Sequence, residues 1–202
     1  MKTNSGRKLY GPGEAYVNLW HGFRAIPLLK KSQKEGLLSD QFRERIMLAV
    51  TAVNGCAMCS YAHTGMALET GMSEQEIKKM LAGEAEGIPE EELPAVLFGQ
   101  HYADQRGKPT EASWKRLNEV YGAPEAAAVL SAVQMIMLGN TYGIPAGSLK
   151  SRIHGDKAGI DTRSSAGYEV GMLLLLIPYI PAAAVTALTA SLFHLPMLKT
   201  VR

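Results

Sequence analysis

Nowhere in this chain do β-branched side chains alternate with polar ones over more than about four positions, so the period-2 pattern that builds a half-buried sheet is missing. Apolar residues at helical spacing, separated by capping signals, take its place. Ser39 or Asp40 can cap a helix running from about Gln41 to Val53, with Phe42, Ile46, Met47, Ala49, Val50 and Val53 on its inward face. Asn54-Gly55 stops that helix, Cys56 opens a second one to about Thr70, and Gly71 ends it. Ser73 with Glu76 at the third helical position makes a capping box for Glu74 to Leu81. The expected fold class is all-α, a helical bundle.

The remaining punctuation extends the same reading. Gly11 to Leu29 holds Pro12, Pro27 and three glycines around Tyr16, Trp20 and Phe23, and reads as an irregular lead-in wrapped on the core. Gly83 to Glu92 is an acidic loop, Leu93 to Gln105 is helical, and Gly107-Lys108-Pro109 breaks it. Thr110 caps Ala112 to Val120, and Pro124 at a first-turn position starts Glu125 to Leu138. Gly143 to Gly155 is read as a linker, since its glycines and Lys150 lack the order of a phosphate loop. Three parts are expected: a lead-in at 1–34, a helical domain at 35–148, and a linker with an apolar helical segment at 149–202.

That last segment runs from Val170 to Leu198 without Asp, Glu, Lys or Arg, long enough to cross a bilayer, which takes about 20 apolar residues. Pro178, Pro181 and Pro196 interrupt it, and polar residues including Thr186 and His194 lie inside. A buried or subunit-interface helical pair is therefore expected in preference to a membrane contact. So long an apolar stretch is hard to bury in one copy of a 202-residue chain and favours a homo-oligomer. Twenty-one Lys and Arg are scattered among 19 Asp and Glu, which leaves no basic stripe and argues against nucleic acid. Met1 to Tyr10 is polar and basic with no apolar run behind it, so the expected address is the cytoplasm.

Only two cysteines occur, Cys56 and Cys59. So short a loop constrains the unfolded chain little, and in a reducing compartment a pair like this is redox-active or metal-binding more often than a staple. Three apart at a helix start, their sulfurs can meet, and the unpaired N–H groups there favour a thiolate. His63 is four residues past Cys59, on the same helix face, where its imidazole can take the thiol proton. Cys59 is thus the expected nucleophile toward a peroxide, and Cys56 the resolving thiol that condenses with the resulting sulfenic acid. No cofactor is needed. Two alternatives stay open: a dithiol relay or sensor that exchanges disulfides with a partner, and a zinc site on Cys56, Cys59 and His63, for which no fourth ligand is visible nearby. Met58 and Tyr61 read as core or pocket wall, and His101, at the spacing of Leu97, as a partly buried core residue.

The segment FRERIMLAVTAVNGCAMCSYAHTGMALETGMSEQEI resembles the core motif of the carboxymuconolactone decarboxylase-like superfamily, in its alkyl hydroperoxidase AhpD branch. That motif is a Glu, a CxxC pair twelve residues on, and a His four residues after the second Cys, and Glu44, Cys56, Cys59 and His63 occupy its four positions. The similarity extends over roughly residues 35 to 148. It implies an all-helical fold assembled as trimers or hexamers. It also implies peroxidase or disulfide-reductase activity fed by a protein dithiol donor, with Glu44 and His63 relaying protons to Cys59. Glu44 lies most of a helix away from the cysteines along the chain, so this role requires the chain to fold back. Ala57 and Met58 stand between the cysteines where the hydroperoxidase often carries a His.

Overall fold

The computed structural model describes residues 7–198, 200 and 201; Met1 to Gly6, the start of the polar opening stretch, lie outside the described residues, as do Lys199 and Arg202. The order is α1 (Pro12–Glu35), α2 (Asp40–Asn54), α3 (Ala57–Glu69), α4 (Glu74–Leu81), α5 (Leu93–Asp104), α6 (Glu111–Ile153), a short 3-10 turn (Lys157–Gly159), α7 (Ala166–Leu174) and α8 (Leu176–Leu192). The protein is all-α, with no strand among the described residues beyond one isolated bridge between Thr110 and Val201.

The N-cap side chains read from sequence cap their helices. Ser39 accepts the Phe42 N–H, Ser73 the Glu76 N–H and Thr110 the Ser113 N–H, at 3.1, 3.2 and 3.2 Å. The capping box expected at Ser73 is left half made, because the Glu76 carboxylate accepts from Arg45. Gly55 closes α2 in the left-handed region at φ 71°, a conformation that costs glycine nothing. His101 lies in the last turn of α5, and its Nε2 accepts the Thr110 N–H from across the break at 3.2 Å.

Two segments differ from the sequence reading. Gly11 to Leu29 is not irregular but belongs to α1: Pro12 takes the first helical position, where its missing N–H costs nothing, and the Glu14 carboxylate accepts the Gly11 N–H at 2.8 Å. Gly22 stands inside α1 where the helix crosses α6, so close that a Cβ there would crowd the Leu138 side chain. The second correction concerns α6, which bends at Gly122 (φ 73°, ψ 165°) as the turn signals suggest but then continues past Leu138 through Ile153. Most of the segment read as a linker is thus helix, and its Gly143 serves close packing, while Gly155 (φ 72°) turns the chain beyond the helix end.

The main core lies between α2, α5 and α6, around Ile46, Val50, Phe98, Val129, Val133 and Ile136. A smaller cluster of Leu48, Ala67, Met72, Ile77 and Met80 seats α4. Ala15, Leu19, Tyr142, Met172 and Ala183 bring α1, α6, α7 and α8 together. Arg45 ties α2 to Glu76 at 2.7 Å and to Glu92 at 2.8 Å, while Arg152 holds buried Glu169 from α7 with two contacts at 2.9 Å. Among the described residues two stretches are long and apolar enough to cross a membrane, Glu111–Ile153, mostly buried within the fold, and Ala166–Leu192, mostly exposed.

His21 on α1 is buried beside Trp20, 3.4 Å from the Tyr102 hydroxyl. Burial, with the Arg24 charge adding to it, pulls its pKa down from 6.5 to about 4. The folded state therefore holds the neutral imidazole, while the unfolded chain takes up a proton near pH 6.5. The associated stability, up to about 3 kcal/mol, is complete above pH ~6.5 and is lost as the pH falls toward ~4. Urea midpoints measured from pH 7 to pH 4 should drop for the native chain and drop less for His21→Gln; equal slopes would assign the acid sensitivity to other groups.

Candidate functional site

Cys56 is the N-cap of α3, and its Sγ accepts the Cys59 N–H at 3.3 Å. The two sulfurs lie at disulfide-bonding distance with Cα atoms 5.3 Å apart, inside the normal range for a bridged pair. Cys56 is fully enclosed, whereas Cys59 is 8% exposed, so the second cysteine is the one a solute can reach.

The turn that presents this pair is fastened from the segment before α1. The Lys8 N–H donates to the Asn54 carbonyl at 2.9 Å, and the Tyr10 hydroxyl donates to Asn54 Oδ1 at 2.7 Å. Both Tyr10 and Asn54 are buried, which makes this an internal clamp rather than a surface contact. Met137 Sδ lies 3.2 Å from Asn54 Nδ2 and anchors the same amide to α6.

Glu44 on α2 is 2% exposed and its Oε2 lies 2.7 Å from His63 Nδ1 on α3. Arg43 Nε approaches the other carboxylate oxygen at 3.7 Å. The antiparallel return of α3 along α2 is what carries the cysteine-bearing helix back past Glu44. With Nδ1–H given to the carboxylate, Nε2 is left as the basic nitrogen of the ring. Direct contact thus joins Cys56 to Cys59 and Glu44 to His63, and α3 links the two pairs, with His63 one turn beyond Cys59. The donors for a zinc site do not converge: among the described residues no group of three or more His, Cys, Asp or Glu is placed to hold a metal ion.

Three neighbours were not found by sequence reading. Gly143 on α6 lies directly over the pair, and a Cβ there would sit 2.8 Å from Cys59 Sγ and 2.9 Å from Cys56 Sγ. Gly147, one turn on, faces the Cβ of Met58, and Gly139, one turn back, borders a cleft of about 450 Å³ that includes Glu44 and His63. The spacing Gly139, Gly143, Gly147 places all three on one helical face, a signal hidden when the helix is ended at Leu138 and Gly143 to Gly155 is taken as a linker. On the other side a cleft of about 410 Å³ is lined by Met58, Tyr61, Gly143, Ile144 and Ser148, among others. Tyr61 is 86% exposed and Met58 partly so, and both stand in this cleft wall.

An all-helical domain that presents a CxxC pair beside a buried Glu–His pair has the composition of a dithiol redox site. Residues 23–95, which contain all four of those side chains, match the family model of the carboxymuconolactone decarboxylase family, consistent with the AhpD-like superfamily to which the motif pointed. No curated protein and no solved structure gives a significant match to the chain.

In an ordinary helix interior Gly→Ala is stabilising by about 0.5–1 kcal/mol. Gly143→Ala should have the opposite sign, because the new methyl must displace the sulfurs; a loss of about 1–3 kcal/mol is expected, a fall of several degrees in Tm. Thermal melts of the oxidised and the reduced protein provide the check. A larger loss in the oxidised form is expected, and a rise in Tm in both forms would show that α3 gives way freely.

Proposed function

We propose that the protein is a thiol-dependent peroxidase of the alkyl hydroperoxide reductase type, with Cys59 as nucleophile, Cys56 as resolving thiol, and His63 with Glu44 as the proton relay. The single observation that carries the reading is the 2.7 Å contact between buried Glu44 and His63 on the helix that bears the cysteines. A carboxylate fixing one ring nitrogen of a histidine, with a thiol one helical turn away, is the arrangement expected of an activated nucleophile. In the reduced protein His63 accepts the Cys59 proton, and the thiolate attacks the terminal oxygen of a hydroperoxide. The S–O bond forms as the O–O bond breaks, and the departing alkoxide takes the proton back from His63 to leave as the alcohol. Cys56 then displaces hydroxide from the Cys59 sulfenic acid, giving the disulfide and water. A protein dithiol restores the two thiols by disulfide exchange, and the cytoplasm is the compartment that supplies such donors.

The test is a stopped-flow reaction of fully reduced protein with cumene hydroperoxide, quenched by alkylation and read by intact mass. Two thiols should disappear far faster than a free cysteine reacts. Cys59→Ser should abolish the reaction, Cys56→Ser should halt it at one sulfenic acid, and His63→Ala should slow it by about 10²-fold. A rate no faster than a free thiol would favour the second reading, a disulfide relay with little peroxidase turnover, to which the Ala57-Met58 pair between the cysteines lends support.

The same reading includes a homo-oligomer, a trimer or hexamer, rather than a membrane-bound monomer. Ile177, Val185, Leu188 and Leu192 form an exposed apolar face along α8, each more than half exposed. Light scattering should report an assembly that Leu188→Asp with Val185→Asp reduces to monomers. A monomeric native chain that sediments with phosphatidylcholine vesicles would reverse this assignment.

A further inference from the structure

The cleft of about 410 Å³ beside the cysteines has features that thiol chemistry alone does not use. Its size falls in the range of small-molecule sites, and one wall is apolar, formed by Met58, Ile144 and the bare backbone of Gly143 and Gly147. Gly143 lines the cleft and also lies against both sulfurs, so a single residue separates the cleft from the redox pair.

Its rim carries positive charge. Arg7 and Lys150 both line it, and neither forms an ion pair with a carboxylate among the described residues; Arg7 Nη1 instead donates to the Gly159 carbonyl at 2.7 Å. The carboxylate in the lining, Asp156, is engaged in capping the 3-10 turn, accepting the Ala158 N–H at 3.1 Å. His154 directs Nδ1 to the Lys150 carbonyl at 2.8 Å.

The wall also contains an unfinished hydrogen bond. Ser148 is 1% exposed, and its Oγ has no partner among the described residues, although a helical serine can ordinarily turn back to the carbonyl one turn earlier. A buried hydroxyl left this way is uncommon, and an oxygen of a bound molecule would complete it.

We propose that this cleft binds a small amphiphile with an anionic head, a medium-chain carboxylate, with its head on Lys150 and Arg7, an oxygen accepting from Ser148, and its chain against Met58 and Ile144. Resting on the peroxidase reading above, the ligand in turnover is a carboxylate-bearing alkyl hydroperoxide whose peroxide end points to Cys59.

Calorimetric titration of the oxidised full chain with octanoate and with octanol tests the site without any peroxide chemistry. Octanoate should bind at least tenfold more tightly than octanol. The Arg7→Ala, Lys150→Ala double variant, altered only at the rim, should remove that preference, and Ser148→Val should weaken octanoate severalfold with the melting temperature preserved. Equal affinities, an unchanged preference in the double variant, or octanoate binding lost only with Leu188→Asp on α8 would each overturn the proposal. The two readings fail separately: octanoate binding by a chain whose thiols are slow toward cumene hydroperoxide removes the peroxidase and keeps the site, whereas fast thiols with no octanoate preference do the reverse.

Discussion

The arrangement of this protein depends on how closely α3 can lie against α6. Cys56 and Cys59 rest on the backbone of Gly143 at a distance that leaves no room for a β-carbon, whereas Gly147, one turn on, faces Met58 at ordinary contact distance. A side chain at Gly143 would either push the helix bearing the cysteines outward or force the sulfurs apart. The close approach thereby sets where the pair stands relative to both clefts, the one containing Glu44 and His63 and the one ending at Gly143. Because packed helices cannot deform by a fraction of a side chain without cost, a single glycine fixes the geometry of the whole centre.

The second constraint is the buried charge of Glu44. A carboxylate removed from water is costly unless it is paired, and here the His63 ring at 2.7 Å and the Arg43 guanidinium at 3.7 Å provide the partners. The pair therefore joins α2 to α3 structurally while it orients the imidazole chemically. Asn54 plays a related part at the turn, where Lys8 and Tyr10 hold it from one side and Met137 from the other, so the loop before Cys56 has little freedom. Local order at the cysteines is thus maintained from two sides, by the segment before α1 and by α6.

The C-terminal third has a different character. Buried Glu169 pins α7 to α6 through Arg152, and Ala183 and Ala187 turn inward from α8, but the opposite face of α8 presents large apolar side chains to solvent. The absence of charge from Val170 to Leu198 thus has two physical meanings along one helix. Its small residues allow α8 to lie against α1, and its large ones remain to be covered.

What the sequence determined by itself was local: the helical class, the caps at Ser39, Ser73 and Thr110, the stop at Asn54-Gly55, and the four motif residues, because hydrogen bonding of a helix end and the period of its apolar face depend on near neighbours. Tertiary structure alone decided the rest. Pro27 and Gly22 look like helix breakers in isolation, yet α1 forms because its packing on α6 outweighs their propensity, and Gly22 leaves room for the Leu138 side chain. The same holds for Gly143, which reads as flexibility in one dimension and acts as clearance in three. Glu44 could be recognised from its motif, but its contact with His63 exists only because α3 folds back along α2, a relation between residues nineteen apart that no helical periodicity encodes.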